Sequence, residues 1–295
     1  MRTYLQRFFA DFEYTERDAR ELLAAYDAIC ADDACRAEWE AILSVYDETM
    51  DCNFKELCAR AEALAPAIKR HKFTVKLLLY ICLSRRTQLY YRERNLSEAL
   101  WRGSMIDLRY KLEECREVWG ICGTFVKDWF DGFFNLKRYT LGRLQFEVVP
   151  LHQDYERDGK RLQKGDPVIN VHIPRTGTPL DATSCNGAFT LAARFFEKEL
   201  KGCPPAFVCH SWLLYPINRT LLPERSNIRA FMERFDVCSS LDYGNDHPDL
   251  WRLFDRPYTG DPDKLPYDTS VRRAYVDHIK AGGKTGEGSG IFFYE

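Results

Sequence analysis

From Thr15 to about Asp131 the apolar residues recur at intervals of three and four. Leu22, Leu23, Tyr26 and Ile29 form one such set, and Trp39, Ile42, Leu43 and Tyr46 form the next. That spacing stacks them along one side of a helix, so the first part of the chain reads as α-helical. Further helical segments are predicted near 54–69, 73–93 and 97–120, giving about five helices in all. Thr15 and Ser97 stand where a side-chain oxygen can accept a free first-turn amide.

Near Asp131–Gly132 the period changes from helical to alternating. The stretch 139–150 (YTLGRLQFEVVP) places polar and apolar residues in turn, the mark of a half-buried strand. Strands are also predicted at 168–173, 206–214, near 235–240 and at 290–294, with helices over 181–199, 226–234, near 247–254 and 269–281. The run 168–214 is strand, turn, helix and strand, which implies a parallel βαβ crossover and a ligand crevice at its strand ends. The expectation is an α+β chain: a helical N-terminal domain over 1–132 and a mixed α/β domain with a central sheet over 133–295.

Composition narrows the function classes. A formal net charge of −2 gives no reason to expect nucleic acid as a partner, and an aromatic content of 14% argues for a packed core rather than disorder. At 295 residues two domains are the default expectation. No segment reads as a signal peptide or a bilayer span, so a cytoplasmic protein without a membrane partner is expected. The eleven cysteines include no CxxC pair, and they read as mostly buried free thiols with no metal site expected.

The polar strand positions carry the candidate chemistry. Arg143, Gln145 and Glu147 share one face of the first strand, and Asn170 and His172 share a face of the next. In AFVCHSWLL, His210 opposes Cys209 and Ser211. If these strands are neighbours, Glu147, His172 and either His210 or the pair Cys209 and Ser211 converge in one cleft. The plainer alternative for Glu147 is a surface ion pair with Arg143. Cys209 as a nucleophile lacks an evident activating cation or helix terminus. The turn 175–181 reads as a helix start with Thr178 as cap and Asp181 closing a capping box, and its amides beside Arg175 and Gly177 suit a pyrophosphate. Four arginines, Arg85, Arg86, Arg92 and Arg94, form either a solvated helix face or a phosphate-contacting surface. The segment AGGKTGEGSG contains Gly283-Lys284-Thr285 but has His278 where a P-loop needs glycine, so a mobile loop is expected there.

GRLQFE at 142–147, VINVHIP at 168–174 and FVCHSWLL at 207–214, followed by Ser226-Asn227-Ile228, together resemble the two-domain bacterial acyltransferase domain-containing proteins. These join a helical N-terminal domain to a GNAT-like C-terminal domain, and the resemblance covers nearly the whole chain. It implies an acyl-CoA-dependent N-acyltransferase whose acyl-CoA wedges between two splayed parallel strands. On that likeness Ile173, Arg175, Thr176, Gly177 and Thr178 contact pantetheine and pyrophosphate. A small-molecule amine then attacks the thioester, with Glu147 or His172 as base and backbone N–H groups on the oxyanion. The tyrosine that the family places seven residues after the asparagine corresponding to Asn227, often the acid for the leaving thiolate, is Arg234 here. His210, Ser211 or Tyr215 stand as substitutes.

Two other classes fit parts of the sequence. A GNAT-like binding protein without turnover is compatible with the missing tyrosine and the altered phosphate loop. A non-haem iron oxygenase is suggested by His152-Gln153-Asp154 together with His210, a two-histidine, one-carboxylate set.

Overall fold

The computed structural model describes residues 1–126, 128–243 and 250–295. They divide into two compact units, Met1–Tyr139 and Thr140–Glu295. The first unit is helical: α1 (Arg2–Asp11), α2 (Glu16–Ala31), α3 (Asp33–Glu48), α4 (Phe54–Ala63), α5 (Lys72–Glu93), α6 (Glu98–Met105), α7 (Asp107–Trp119) and the single turn α8 (Asp131–Phe134). Both expected caps form, with Thr15 Oγ1 accepting from Asp18 N at 3.1 Å and Ser97 Oγ from Leu100 N at 3.2 Å. The centre of this unit is α5, where Leu77, Leu78, Leu79, Tyr80 and Ile81 are consecutively buried. A helix buried all round has no polar face to show, which is why neighbouring helices surround it. At its outer end Arg86 pairs with Glu93 and Arg92 with Glu98, so the arginine cluster is partly neutralised on a solvated surface.

After β1 (Arg138–Leu141), within which the division between the units falls, the second unit contains β2 (Leu144–Pro150), β3 (Tyr155–Arg157), β4 (Lys160–Leu162), β5 (Pro167–His172), α9 (Ala182–Phe195) and β6 (Ala206–Ser211). It continues through α10 (Asn218–Leu221), α11 (Asn227–Met232), β7 (Asp236–Asp242), α12 (Trp251–Phe254), α13 (Ser270–Lys280) and β8 (Gly286–Phe293). Six strands form one mixed sheet in the order β1-β2-β5-β6-β8-β7, and β3 and β4 make a separate hairpin. β5 and β6 run parallel, joined through α9, as the crossover pattern predicts. β2 with β5, β6 with β8, and β7 with β8 are antiparallel.

One sheet face packs on α9 through aromatic rings. The Phe189 centroid lies 4.8 Å from Phe207, 5.2 Å from Phe292 and 6.0 Å from Phe146. These rings fix which face of β2, β6 and β8 is interior and send the intervening side chains to the opposite face.

Several expected boundaries shift. The single strand over 139–150 is two strands joined by a turn in which Gly142 adopts φ +67°, a conformation that suits a residue without Cβ. β6 stops at Ser211, and Trp212–Leu214 forms a 3-10 turn instead of continuing the strand. The helix expected to start at Thr178 begins at Ala182 with Asp181 as its cap, accepting from Ser184 N at 2.9 Å. The expected mobile loop before residue 290 is corrected most: from Gly286 onward it is the inner strand β8. Of the helix expected near 247–254, the portion before residue 250 lies outside the described residues, and α12 accounts for the rest.

Candidate active site

The sheet face opposite α9 gathers the polar candidates. Register places Gln145 across from His172 and Glu147 across from Asn170, so β2 and β5 offer their polar side chains together. His172 Nε2 lies 2.7 Å from Glu147 Oε1, and Asn170 Nδ2 lies 3.2 Å from the same nitrogen and 3.4 Å from Glu147 Oε1. Both partners of the pair are largely shielded, with side-chain exposures of 20% for His172 and 15% for Glu147, enough to strengthen their interaction while leaving an approach. Arg143 is engaged by the loop that follows β5. It sits in the β1–β2 turn and donates to the carbonyls of Pro174, Thr178 and Pro179.

The next strand adds His210 to that face. Its Nδ1 lies 2.6 Å from Ser289 Oγ, directly across the β6–β8 ladder, and its Nε2 meets Glu287. Asn170, His210 and Ser289 line a cavity of about 420 Å³ whose apolar walls include Val149, Val168 and Val208. Cys209 and Ser211 do not join this cluster chemically. Cys209 is buried, and desolvation raises its thiol pKa far above the usual value, which suppresses the nucleophilic thiolate. Ser211 Oγ accepts from Leu213 N at 3.2 Å and caps the 3-10 turn. Tyr215 donates to Asp242 Oδ1 at 2.7 Å.

The loop 173–181 runs from the end of β5 to α9. Arg143 ties down three of its carbonyls, and Thr176 and Thr178 bond each other through their hydroxyls at 2.6 Å. Gly177 makes the turn at φ +74°. Arg175 reaches away to Asp255, with Nη1 at 2.5 Å from Oδ1. The β5–β6 ladder pairs only Ile169 with Phe207 and Asn170 with Val208, although both strands run further. Toward His172 and Ser211 the register between these two strands is not continued, and the loop begins beyond that point.

Two sequence models match the chain. A GNAT-like C-terminal domain matches residues 138–292, and an N-acyltransferase N-terminal domain matches residues 3–136. The chain belongs to the two-domain N-acyltransferases. Among solved structures, an acyltransferase in complex with decanoyl-CoA and teicoplanin is similar over 98% of this chain and 87% of its own, at 21% identity and a TM-score of 0.76. An acyltransferase with CoA and 10C-teicoplanin gives 20% identity and a TM-score of 0.77 over the same shares. At such identities the likeness establishes the fold of this N-acyltransferase and no more. No curated protein matches it by sequence.

The iron-oxygenase reading does not survive the geometry. Asp154 Oδ1 accepts from Lys164 N at 2.8 Å, and His210 is held by Ser289 and Glu287. Among the described residues the one group of possible ligands gathered closely enough for an ion is Asp18, Glu21 and Cys122, both of whose carboxylates already bind Arg116. The mixed sheet with its parallel crossover also differs from the jelly roll such a triad commonly occupies. No helix among the described residues is long and apolar enough to cross a membrane.

Sequence reasoning passed over Glu287 and Ser289. Their signal was the repeat GEGSG, in which every second residue is polar and every other is glycine.

Proposed function

We propose that this protein transfers an acyl group from acyl-CoA to the amine of a small molecule, with the thioester held where β5 and β6 part. The observation that carries this reading is the two-position ladder between those parallel strands, which ends beside the Glu147–His172 pair. The similar acyltransferases in complex with decanoyl-CoA and teicoplanin, and with CoA and 10C-teicoplanin, favour a medium-chain acyl donor and a bulky acceptor. The apolar walls of the 420 Å³ cavity offer space for such a chain.

In this reading Nε2–H of His172 is donated to Glu147, which fixes the tautomer and leaves Nδ1 basic. Nδ1 takes the proton of the amine as it attacks the thioester carbonyl. Glu147 stabilises the imidazolium that forms, as a carboxylate beside a catalytic histidine does. His210, on the cavity wall, gives a proton to the departing thiolate and so replaces the missing tyrosine at Arg234. Backbone N–H groups on the sides of β5 and β6 that face each other beyond their shared ladder meet the oxyanion. Ile173, Arg175, Thr176, Gly177 and Thr178 flank the pantetheine and pyrophosphate, with the Arg175 guanidinium exchanging Asp255 for phosphate.

Titration calorimetry with acetyl-, octanoyl- and decanoyl-CoA tests the donor, and thiol release in the presence of an amine library tests transfer. Absence of binding across that series would sink the proposal.

A further inference from the structure

β8 carries two polar side chains beside His210, Glu287 and Ser289, that the transfer reaction does not use. Along Gly286-Glu287-Gly288-Ser289-Gly290 the two side chains alternate with glycines, so both lie on the sheet face that carries His210. The glycines permit this arrangement: a Cβ on Gly286 would come within 2.1 Å of Leu241 O, and one on Gly288 within 2.2 Å of Leu214 O. The strand is therefore pressed against backbone on one side and can present functional groups only on the other. His210 sits between these groups, with Ser289 Oγ at 2.6 Å from Nδ1 and Glu287 at Nε2. The Glu287 side chain is 15% exposed while that of His210 is 56% exposed, so the acid is shielded and the imidazole is open to water.

A serine hydroxyl bonded to one nitrogen of an imidazole, whose other nitrogen is held by a carboxylate, is the arrangement that activates a serine nucleophile. We propose that Ser289, His210 and Glu287 form a hydrolytic triad that cleaves activated acyl esters, and acyl-CoA when no amine is present. The acyl-CoA part rests on the transferase reading. The ester part stands on the triad alone.

In the first step Ser289 Oγ attacks the acyl carbonyl and its proton passes to His210 Nδ1, while Nε2–H stays with Glu287. The C–O bond to Ser289 forms, the bond to the leaving thiolate or phenolate breaks, and the leaving group either takes the proton from Nδ1 or departs as the anion while Nδ1 releases its proton to solvent, so that Nδ1 is free of its proton again. Water then attacks the acyl-serine and gives a proton to Nδ1. The Oγ–C bond breaks, Oγ regains the proton, and a carboxylic acid leaves. The cavity that Ser289 and His210 line accommodates the acyl chain during both steps.

The test is hydrolysis of p-nitrophenyl octanoate and of octanoyl-CoA by the full chain without amine, read as phenolate and thiol release, with intact-mass spectrometry of the quenched protein. Expected are turnover of both, a protein adduct of one octanoyl group, and loss of at least ~100-fold in Ser289→Ala and Glu287→Gln. Ser289→Cys should keep the adduct, which separates loss of the nucleophile from loss of the fold. Ester turnover in Ser289→Ala equal to that of the unmodified protein, or an adduct that persists in that variant, overturns the triad. Ester cleavage that depends on Ser289, without octanoyl-CoA binding in calorimetry, upholds the triad and overturns the transferase reading instead.

Discussion

His172 on β5 and Glu147 on β2 meet across an antiparallel ladder, Nε2 to Oε1 at 2.7 Å. The pair is made by register: Glu147 stands opposite Asn170, and His172 lies one same-face step further along. If this pair deprotonates the acceptor, His172→Ala should lower kcat by ~10²–10⁴ with little change in the KM for acyl-CoA. Glu147→Gln keeps the shape and removes the charge that stabilises the imidazolium, so kcat should fall again but by less. A rise in KM alone, with kcat intact, would assign the pair to binding.

Arg175 and Asp255 form a partly exposed ion pair at the loop between β5 and α9. Asp255 is shared between Arg175 and Arg272, so Arg175 can leave without stranding the carboxylate. Arg175→Ala should weaken octanoyl-CoA binding about tenfold, the loss expected for one charge-assisted contact. The weakening should shrink as salt rises, because the interaction is solvent-exposed. Equal calorimetric affinities for the two proteins at low salt would remove Arg175 from the phosphate site.

Much of this architecture was legible because side chains record which face is buried. The helical stripes, the βαβ unit and the polar faces of β2 and β5 all follow from periods of 3.6 and 2. What hydropathy could not mark is a strand segment rich in glycine: Gly286 and Gly288 have no side chain to pattern, so the first half of β8 reads as a loop, and only the part from Gly290 reads as the inner strand that it is. β3 and β4, three residues each and rich in charge, fell below any pattern. The pairing of His210 with Ser289, 79 positions apart, depends on a sheet order that no local spacing encodes. The start of α9 was misplaced for a different reason. Thr178 and Asp181 are both good caps, and the choice fell to Asp181, whose side chain bonds Ser184 N while Thr178 turns to Thr176.

The cysteines of the second unit should report burial by reactivity. Cys209 is buried with a strongly raised pKa, whereas Cys238 is exposed, lines the cavity and is raised by desolvation and by Asp236. Alkylation of the native protein near neutral pH should modify Cys238 slowly, faster as pH rises, and leave Cys209 untouched until unfolding. Bound acyl-CoA should slow the reaction at Cys238. Peptide mapping that finds Cys209 labelled in native protein would contradict its burial.

Gly288→Ala should destabilise the second unit. The new methyl would stand 2.2 Å from Leu214 O, and neither the strand nor the 3-10 turn can yield without disturbing the neighbouring ladders. A loss of about 1–3 kcal/mol is expected from overpacking, visible as a lower denaturation midpoint. Because Glu287 and Ser289 depend on this strand's position, ester hydrolysis should fall as well. A midpoint equal to that of the parent would show that β8 is not held against this turn.

Tyr215 gives the alkaline limit a specific cause. Burial and the hydrogen bond to Asp242 push its hydroxyl pKa up to about 12, whereas an unfolded tyrosine titrates near ~10. A folded pKa above the unfolded one means that the unfolded chain loses this proton first. The stabilising contribution is therefore complete below pH ~10 and declines as pH rises toward the folded value. Tyr215→Phe removes the titrating group. The stability difference between parent and variant should stay constant from pH 7 to ~10 and then shift against the parent as the pH approaches 12. Denaturant melts at closely spaced pH values read this directly, and a difference that stays flat throughout would mean that Tyr215 titrates alike in both states.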